Sequence, residues 1–442
     1  MSTAKRWEVV QLRLDQPLQS IRASSNAAGV YLVFWWNEIP LGEVMVASLE
    51  LPLTAAEVQR RAARAIAPAV GNYSLPNGFR PPLPIPAQHR AYDPQPELSA
   101  VLAVARPLEN LTAKHRARTA PEASVSVVVC TRDRPESLKN CLAALLELEP
   151  PPSEIIVVDN APQNSASRDA VAKFDGVIYL SEPASGLSRA RNSGIARSTG
   201  EIVAFTDDDV RVHRRWVQRI RETLAQENVW AMTGLVLAAE LETESQVRFE
   251  VELGGFNRGY RPILFDSFFL ETMHHKAMPV WSIGAGANMA FRREVFSRVG
   301  LFDPRLGAGA SGCSEDSELW YRILVDGMSI AYEPRAAVLH SHRVDSHALN
   351  RQTRQYMRGH VVALLVQFEK HRHVGNLRRL CTDIPRYYLS QVKRGPFRSD
   401  WILLMNQFLG CVWGLATYFR LLLSWPLHAG ARRISAVETA AL

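Results

Sequence analysis

The sequence has too few cysteines, spaced too far apart, to indicate a disulfide framework or a structural zinc site. The five are Cys130, Cys141, Cys313, Cys381 and Cys411. No two of them form a CxxC or a Cys/His zinc pattern, and their number is odd. Reduced thiols in the cytoplasm are the simplest interpretation. The N-terminal stretch MSTAKRWEVVQLRLD contains no long apolar run, so we expect no signal peptide.

Common nucleotide-binding signatures are also absent. No GxGxxG follows the first buried strand and no GxxxxGK[ST] occurs, so neither a dinucleotide Rossmann site nor a P-loop is supported. The Gly-rich loop with Arg and Lys that marks nucleotide-sugar pyrophosphorylases is missing as well. Basic residues are not interleaved with aromatic ones as in RNA-binding modules, so nucleic acid is not an expected partner.

What is present is an ordinary globular composition with an uneven positive charge. The 442 residues are 47% hydrophobic and 21% charged, which indicates a folded chain of two or three domains. The formal net charge is +7, and residues 343–398 hold twelve lysines and arginines against three acids. This basic C-terminal region favours anionic partners such as nucleotides or phospholipid head groups.

Residues 1–75 are predicted to form a small α+β domain. Two strand-like runs in GVYLVFWWNEIPLGEVMV precede a helix, and Thr54 with Glu57 has the spacing of a capping box at the start of that helix. Seven prolines then occur between residues 75 and 98. Because proline fixes φ and removes a backbone donor, we expect a semi-rigid linker or strap over residues 76–120.

Residues 121–345 have the pattern of a doubly wound α/β sheet. Apolar, β-branched runs alternate with helical segments, as expected of buried parallel strands. The predicted strands are Ser124–Thr131, Glu154–Asn160, Val177–Leu180 and Glu201–Asp207. In such sheets ligands bind outside the carboxyl ends of the strands. Polar residues follow three of these ends, at Thr131–Arg134, Asp159–Asn160 and Asp207–Asp209.

Three adjacent aspartates, Asp207, Asp208 and Asp209, raise the cost of ionising one another. A solvated loop at the end of the strand could hold them. A divalent cation would offset the repulsion more strongly, because carboxylate oxygens are the ligands that Mg²⁺ and Mn²⁺ prefer. The sequence therefore indicates a metal site at this strand end, with a polar loop as the alternative.

Five blocks in this region resemble glycosyltransferase family 2, the inverting enzymes with a GT-A fold. They occur in the family's order between about residues 124 and 345, roughly half of the chain. The blocks are VSVVVCTRDRPESLKNCLAAL, EIIVVDNAPQN, GLSRARNSGIARSTGEIVAFTDDDV, GAGANMAFRREVFSRVGLFD and SEDSELWYRIL. The resemblance implies a nucleotide-diphosphate sugar as donor and Mn²⁺ or Mg²⁺ as cofactor.

The resemblance also assigns residues to the donor and to the metal. Metal ligands are expected at Asp207, Asp209 and His340, a histidine that follows the helix predicted to begin at Glu315. The nucleotide sugar is expected to contact Thr131, Arg132, Arg134, Asp159, Arg191, Asp207, Asp208 and Gly286. Alternative interpretations stay open: Asp159 as a turn residue, Arg191 on a solvated helix face, Gly286 in a tight turn, and His340 as a structural residue.

Glu315 and Asp316 open a predicted helix with an apolar face. Acids in a first helical turn often only complement the helix dipole. In the family this pair supplies the catalytic base, which matches Asp316, with Glu315 in support. An inverting transfer needs a carboxylate that takes the proton of the acceptor hydroxyl as its oxygen attacks the anomeric carbon.

Residues 346–442 are predicted to be a basic, helical extension. The stretch Trp401–Phe419 holds 19 residues without a charge, close to the lower limit for a membrane span. A helix lying in an anionic membrane surface, with the tryptophans at head-group depth, fits as well, and a buried helix is the third alternative. Membrane contact would place the protein at the cytoplasmic face and would suit a lipid-linked acceptor.

The sequence thus predicts an inverting, metal-dependent glycosyltransferase that acts on a hydroxyl of a glycan or a lipid-linked glycan. Two other functions are considered beside it. A sugar nucleotidyltransferase on a similar fold would release pyrophosphate from a nucleoside triphosphate. A non-catalytic relative that binds sugar or membrane would need neither Asp209 nor Asp316.

Overall fold

The structure is a computed structural model of the full chain. It describes residues 6–73, 108–109, 111, 122–271, 273, 275–393 and 401–424. The proline-rich segment predicted as a linker, 76–120, lies outside these residues except for Leu108, Glu109 and Leu111.

The N-terminal part is a three-stranded sheet covered by one helix. Strand β1 (Arg6–Arg13) pairs in parallel with β2 (Ala27–Trp36), and β2 pairs in antiparallel with β3 (Ile39–Ala47). Helix α1 (Ala55–Tyr73) packs on this sheet. Its start is fixed by the predicted capping box: the Thr54 amide donates to Glu57 Oε2 at 2.8 Å, and the Glu57 amide donates to Thr54 Oγ1 at 3.3 Å.

The N-terminal sheet shares one hydrophobic core with the large sheet of the chain. Buried side chains of β2 and α1, among them Leu32 and Ile66, pack in the same cluster as Leu235 and Leu237 of the large sheet. A backbone bridge joins the two parts, because the Trp7 amide donates to the Leu241 carbonyl at 2.9 Å. The N-terminal part therefore packs against the large sheet through a continuous core.

The large sheet has nine strands and is mostly parallel. They are β4 (Val125–Thr131), β5 (Glu154–Asn160), β6 (Val177–Glu182), β7 (Ile202–Asp207), β8 (Val210–Val212), β9 (Val229–Ala238), β10 (Ile263–Phe265), β11 (Asn288–Arg292) and β12 (Ser329–His340). The order across the sheet is β10-β12-β9-β11-β7-β4-β5-β6, with β8 paired to β12. Strands β8, β10 and β11 run antiparallel to their neighbours, and the others share one direction.

Helices connect these strands and cover both faces of the sheet. They are α2 (Pro135–Leu146), α3 (Ala166–Val171), α4 (Leu187–Arg197), α5 (Trp216–Leu224), α6 (Glu244–Val247), α7 (Ser267–Glu271), α8 (Glu294–Val299) and α9 (Glu315–Val325). Helix α2 begins at Pro135, as predicted, because proline at the first helical position has no amide to leave unpaired. Two separate buried clusters lie on the two faces. The predicted fold class, an α/β fold with a large, mostly parallel sheet and a helical C-terminal region, is confirmed.

The C-terminal region begins with α10 (Ser346–His371), which is followed by α11 (Val374–Arg378), α12 (Ile384–Lys393) and α13 (Trp401–Ser424). Helix α13 packs along α10 through two glycines. A Cβ atom at Gly410 would lie 2.3 Å from the Arg354 carbonyl oxygen, and one at Gly414 would lie 2.8 Å from that of Arg358. Glycine at these positions lets the two helix backbones approach closely.

Candidate active site

A cleft of about 760 Å³ opens at the carboxyl ends of the parallel strands. Its lining includes Thr131 at the end of β4, Asp207 at the end of β7, His340 at the end of β12, and Asp316 in the first turn of α9. Residues from four distant stretches of sequence therefore meet in one concave site, at the edge of the sheet where the strand order predicts a ligand.

The three adjacent aspartates point to different partners. Asp208 turns inward, where Thr131 Oγ1 donates to its Oδ2 at 2.7 Å and Arg134 Nη1 donates to its Oδ1 at 3.0 Å. The same Arg134 nitrogen donates to Asp209 Oδ2 at 2.9 Å. Burial raises the pKa of Asp208 to about 6. Arg134 thus offsets part of the repulsion in the triplet, although it leaves one oxygen of Asp209 without a partner.

Asp207, Asp209 and His340 form a cluster whose ligand atoms all lie within 4.8 Å of one another. Asp209 Oδ1 is buried and has no hydrogen-bond partner in the described part of the chain. His340 Nε2 lies 3.3 Å from this oxygen. A buried carboxylate oxygen without a partner is costly, so the cluster fits a bound cation.

Two residues behind His340 set its hydrogen-bonding role. His342 Nε2 lies 2.9 Å from Glu250 Oε2, and His342 Nδ1 lies 3.1 Å from His340 Nδ1. Burial and the neighbouring His342 lower the pKa of His340 to about 3, so its imidazole is neutral at ordinary pH. A neutral imidazole has one ring nitrogen without a proton. When the proton of His340 lies on Nδ1, directed toward His342, the lone pair of Nε2 faces Asp209 Oδ1 and is available to a cation.

In that tautomer His340 Nε2 and Asp209 Oδ1 are two acceptors 3.3 Å apart, and they repel unless a cation lies between them. The donor set is two carboxylates and one neutral imidazole, which suits Mn²⁺ and, less closely, Mg²⁺. The contact between His340 Nδ1 and His342 Nδ1 is the kind of outer contact that orients a histidine ligand. The residues present therefore fit the predicted divalent metal.

Arg191 lies buried under the floor of the cleft. Its Nη1 donates to Glu315 Oε1 at 2.6 Å, its Nη2 donates to the Gly286 carbonyl at 3.3 Å, and its Nη2 lies 3.6 Å from Asp207 Oδ1. The guanidinium also packs over the ring of Phe302 at 5.4 Å. Only 2% of Arg191 is exposed, so it joins the acids of β7 to those of α9 and does not lie on a solvated helix face.

Asp316 faces the cleft. Its Oδ2 accepts from the Gly286 amide at 2.9 Å, and its Oδ1 accepts from the Ser317 amide at 2.6 Å. A Cβ atom at Gly286 would lie 2.9 Å from Arg191 Nη2 and 3.1 Å from Asp316 Oδ2, so only glycine allows this approach. The residue before the helix, Ser314, has a φ of 72°, an uncommon left-handed conformation at the start of α9.

Glu315 has a different environment from its neighbour. It is buried, it is paired with Arg191, and its Oε2 has no hydrogen-bond partner among the described residues. Burial raises the pKa of Glu315, and Arg191 opposes that shift. Both acids of the predicted pair line the cleft, but they differ in access, because Asp316 is half-buried and Glu315 is buried.

Two predicted donor residues lie toward the β5 side of the site. Arg132 lines the cleft, and its Nη1 donates to Ser185 Oγ at 3.1 Å. Asp159 is fully buried and does not line the cleft, and its Oδ2 accepts from the Tyr179 hydroxyl at 3.0 Å. The next residue, Asn160, lines the cleft instead. A donor contact of Asp159 therefore stays a prediction.

The sequence motifs missed the far wall of the cleft, which Arg258, Trp281, His360 and Arg379 line together with Arg343. Arg258 lies in the loop after α6, Trp281 in the segment before β11, and Arg343 in the segment after β12. His360 lies on α10, and Arg379 follows α11. None of them belongs to a recognisable motif. For Arg343 and Arg379 the signal in the sequence is the excess of basic residues over positions 343–398, and Arg258 and Trp281 lie before that stretch.

Comparison with known proteins agrees with the family resemblance. Residues 126–300 match the model of glycosyl transferase family 2. The chain is 30% identical over 251 residues to pre-mycofactocin glycosyltransferase of Mycobacterium tuberculosis, which covers 56% of this chain and 49% of that protein. It is 30% identical over 226 residues to succinoglycan biosynthesis protein ExoM of Rhizobium meliloti, which covers 48% of this chain and 65% of that protein.

The chain thus spans about half to two thirds of the length of these relatives. Among solved structures, mannosyltransferase PcManGT of Pyrobaculum calidifontis, in complex with GDP-Man and Mn²⁺, is 17% identical, with a TM-score of 0.39. That match covers 76% of this chain and 86% of the other, and a score this low supports no conclusion. The family that the five blocks resemble is thus also the family whose model matches residues 126–300.

Proposed function

Because residues 126–300 match the model of glycosyl transferase family 2, we propose that the chain transfers a sugar from a nucleotide-diphosphate sugar to a hydroxyl acceptor, with inversion at the anomeric carbon. One observation carries the proposal most directly. The unpartnered Asp209 Oδ1 faces the neutral His340 Nε2 in the same cleft that holds Asp316. A site for a cation and a candidate base thus face one cavity.

Asp207, Asp209 and His340 would hold the divalent metal, which when bound supplies positive charge to a departing diphosphate. Arg134 keeps the triplet in place through its bonds to Asp208 and Asp209. Thr131, Arg132 and Arg134 would contact the nucleotide from the end of β4. A guanidinium fork is well suited to phosphate oxygens, and Arg132 is the more exposed of these two arginines.

Asp316 would act as the general base. Its Oδ1 accepts from both the amide and the hydroxyl of Ser317, whereas its Oδ2 accepts from the Gly286 amide and retains a further lone pair for the acceptor hydroxyl. The carboxylate would take the hydroxyl proton as the acceptor oxygen forms its bond to the anomeric carbon and the bond to the diphosphate breaks. Glu315 is directed to Arg191 and serves to position the floor of the site.

We place the acceptor on the side of the cleft formed by α10 and α13. Gln407 of α13 lines the cleft, whereas Trp413 and Phe419 on the same helix are more than half exposed to solvent. The segment Trp401–Leu423 is long and apolar enough to cross a membrane by length and composition. Its apolar outer face and the basic residues before it support contact with an anionic membrane at the cytoplasmic face, and hence a lipid-linked acceptor.

The proposal is tested by separating donor binding from transfer. The full chain is heated with a panel of nucleotide sugars, with Mn²⁺ or with EDTA, because a ligand that binds only the folded state raises the thermal midpoint. We expect one nucleotide sugar to stabilise the protein in Mn²⁺ and to lose that effect in EDTA. A protein that releases pyrophosphate from a nucleoside triphosphate would instead be a nucleotidyltransferase.

The variant Asp316→Asn should keep the donor-induced shift and lose transfer by about 10²-fold or more, the usual range for a general base. The matched control is Asp326→Asn at the other end of the same helix, where the side chain pairs with Arg298 at the surface. It should retain transfer. Transfer by Asp316→Asn within tenfold of the unsubstituted protein would remove Asp316 from its role. An anomeric assignment of the product tests inversion.

A further inference from the structure

The arginines that line the cleft fall into two groups. On the metal side, Arg134 is paired with two aspartates and Arg191 with Glu315. On the far wall, Arg258 and Arg379 have no carboxylate within 4 Å in the described part of the chain. The arginines of the metal side are thus held in ion pairs, whereas those of the far wall form none among the described residues.

Arg258 is held by long contacts only. It donates to the carbonyls of Gly255, Asn257 and Trp281, each at 3.4 Å, and its Nε is buried without a partner among the described residues. Burial lowers the pKa of Arg258, and the charge of nearby Asp316 is among the effects that oppose the shift. A desolvated guanidinium with weak partners next to the candidate base is an unsatisfied charge in a ligand cavity.

Arg379 lies on the ring of Trp281. Its guanidinium carbon is 4.1 Å from the ring centroid, and its Nε donates to His360 Nε2 at 2.9 Å. Burial lowers the pKa of His360 to about 3, so this imidazole is a neutral acceptor and adds no negative charge. The described structure gives the two terminal nitrogens of Arg379 no hydrogen-bond acceptor, and the residue lines the cleft. A third arginine, the exposed Arg343, lines the same cavity.

We infer that Arg258 and Arg379, assisted by Arg343, form a binding site for a phosphate group carried by the acceptor. A carboxylate has one charge to offer, whereas a phosphate monoester carries up to two and presents three oxygens, which suits guanidinium groups that reach it from separate segments. The stacked Trp281 holds Arg379 in a fixed orientation, and this lowers the entropy cost of binding.

The location explains why an acceptor would use the site. Arg258, Arg379 and Asp316 line the same cavity, so an acceptor whose phosphate binds at this wall can reach the candidate base with its hydroxyl. Gln407 of α13 lines the same cavity, and the opposite face of that helix is apolar and exposed. The meaning of the site as an acceptor subsite rests on the proposed transferase function, but its affinity for phosphate does not.

The test therefore measures phosphate binding by the full chain without donor and in EDTA, where the Asp207–Asp209 cluster holds no metal. Two probes separate the sources of phosphate: farnesyl phosphate for a lipid phosphate and glucose 1-phosphate for a soluble sugar phosphate. Farnesol and glucose are the neutral controls, and glucuronate is the carboxylate control. The readout is the rise of the thermal midpoint with probe concentration, fitted to a dissociation constant.

We expect at least one phosphate probe to bind, with glucuronate about tenfold weaker or worse. Arg379→Gln and Arg258→Gln should each weaken phosphate binding by about tenfold or more, the usual loss for one hydrogen bond to a charged group. Arg379→Lys should keep part of the affinity. The matched control is Arg378→Gln, whose arginine is adjacent in sequence, faces Asp383 at 4.0 Å and does not line the cleft. It should bind as the unsubstituted protein does.

Three results would overturn the inference: no response to either phosphate probe, equal binding of glucuronate and phosphate, or an equal loss in Arg378→Gln and Arg379→Gln. The two glutamine variants are made separately, so that if one fails to fold the other decides. Failure of the transferase proposal is distinguishable from failure of this inference. If the chain transfers no sugar but binds phosphate through Arg379, the phosphate site stands and only its assignment to the acceptor is lost.

Discussion

The ion pair between Arg191 and Glu315 allows a prediction whose size follows from burial. Arg191→Met keeps an unbranched side chain of similar length in the pocket beside Phe302 and removes the only cation within 4 Å of Glu315 in the described structure. Removal of one partner of a buried pair typically costs about 3–5 kcal/mol of unfolding free energy, because the other charge is left buried and unpaired. For a domain of this size that loss lowers the thermal midpoint by roughly 10 °C.

The loss should also depend on pH, and its sign can be worked out. Burial raises the pKa of Glu315 in the folded state above its ordinary value of 4.5, and Arg191 limits the rise. Without Arg191 the pKa rises further. At pH values between the pKa of Glu315 in the unfolded chain and its higher pKa in the folded chain, the unfolded chain releases the proton while the folded chain keeps it. Unfolding therefore becomes easier as pH increases. The deficit of Arg191→Met should therefore be larger at pH 8 than at pH 5.5.

Thermal midpoints of three variants at both pH values provide the test. Arg191→Met/Glu315→Gln should recover part of the lost stability and remove the extra pH dependence, because no buried charge remains. Arg189→Met is the matched control, since this arginine lies two residues earlier in the same helix, is half-buried and has no ion pair among the described residues. A deficit for Arg191→Met that is below about 1 kcal/mol, or that is equal at the two pH values, would refute the reasoning.

Two further predictions concern the C-terminal helices. Gly410→Val places a side chain against the Arg354 carbonyl and should lower the free energy of unfolding by about 1–3 kcal/mol through overpacking, measured as a lower thermal midpoint. Ala416→Val on the exposed face of α13 is the control. Equal midpoints for the two variants would contradict close packing of α13 on α10. The pair Trp413→Glu and Phe419→Glu should lower partitioning onto anionic vesicles by about tenfold or more for each apolar side chain lost from the membrane. In the same sedimentation assay Leu49→Glu, at a residue 96% exposed on the N-terminal part, should have no effect, and an equal loss there would exclude α13 as the contact surface.

The parts of the fold that follow from local pattern could be predicted from the sequence. Strand β5 has its predicted bounds, α2 begins at Pro135, and the capping box of α1 forms, because each depends on residues within a few positions of one another. The meeting of Thr131 with Asp208 also follows, because parallel strands place their carboxyl ends at one edge.

Features that depend on distant packing could not be predicted. No local signal places the antiparallel strand β11 between β7 and β9, yet this insertion brings the loop with Gly286 against Arg191 and Asp316. The position of Arg379 depends on how α10 and α11 pack after β12. His342 illustrates the same limit, because its role behind His340 depends on Glu250, which is 92 residues away.

The core shared by β2, α1 and β9 has a consequence for how this chain can be re-engineered. In a fold of this type the outer face of a sheet is usually covered by helices from its own crossovers, whereas here Leu235 and Leu237 are covered by the three-stranded sheet at the other end of the sequence. A chimera that grafts the catalytic segment of a relative onto this chain must carry matching side chains on both sides of the interface between the three-stranded sheet and the large sheet. A swap that respects only the boundaries of the family match would leave two apolar surfaces bare to water.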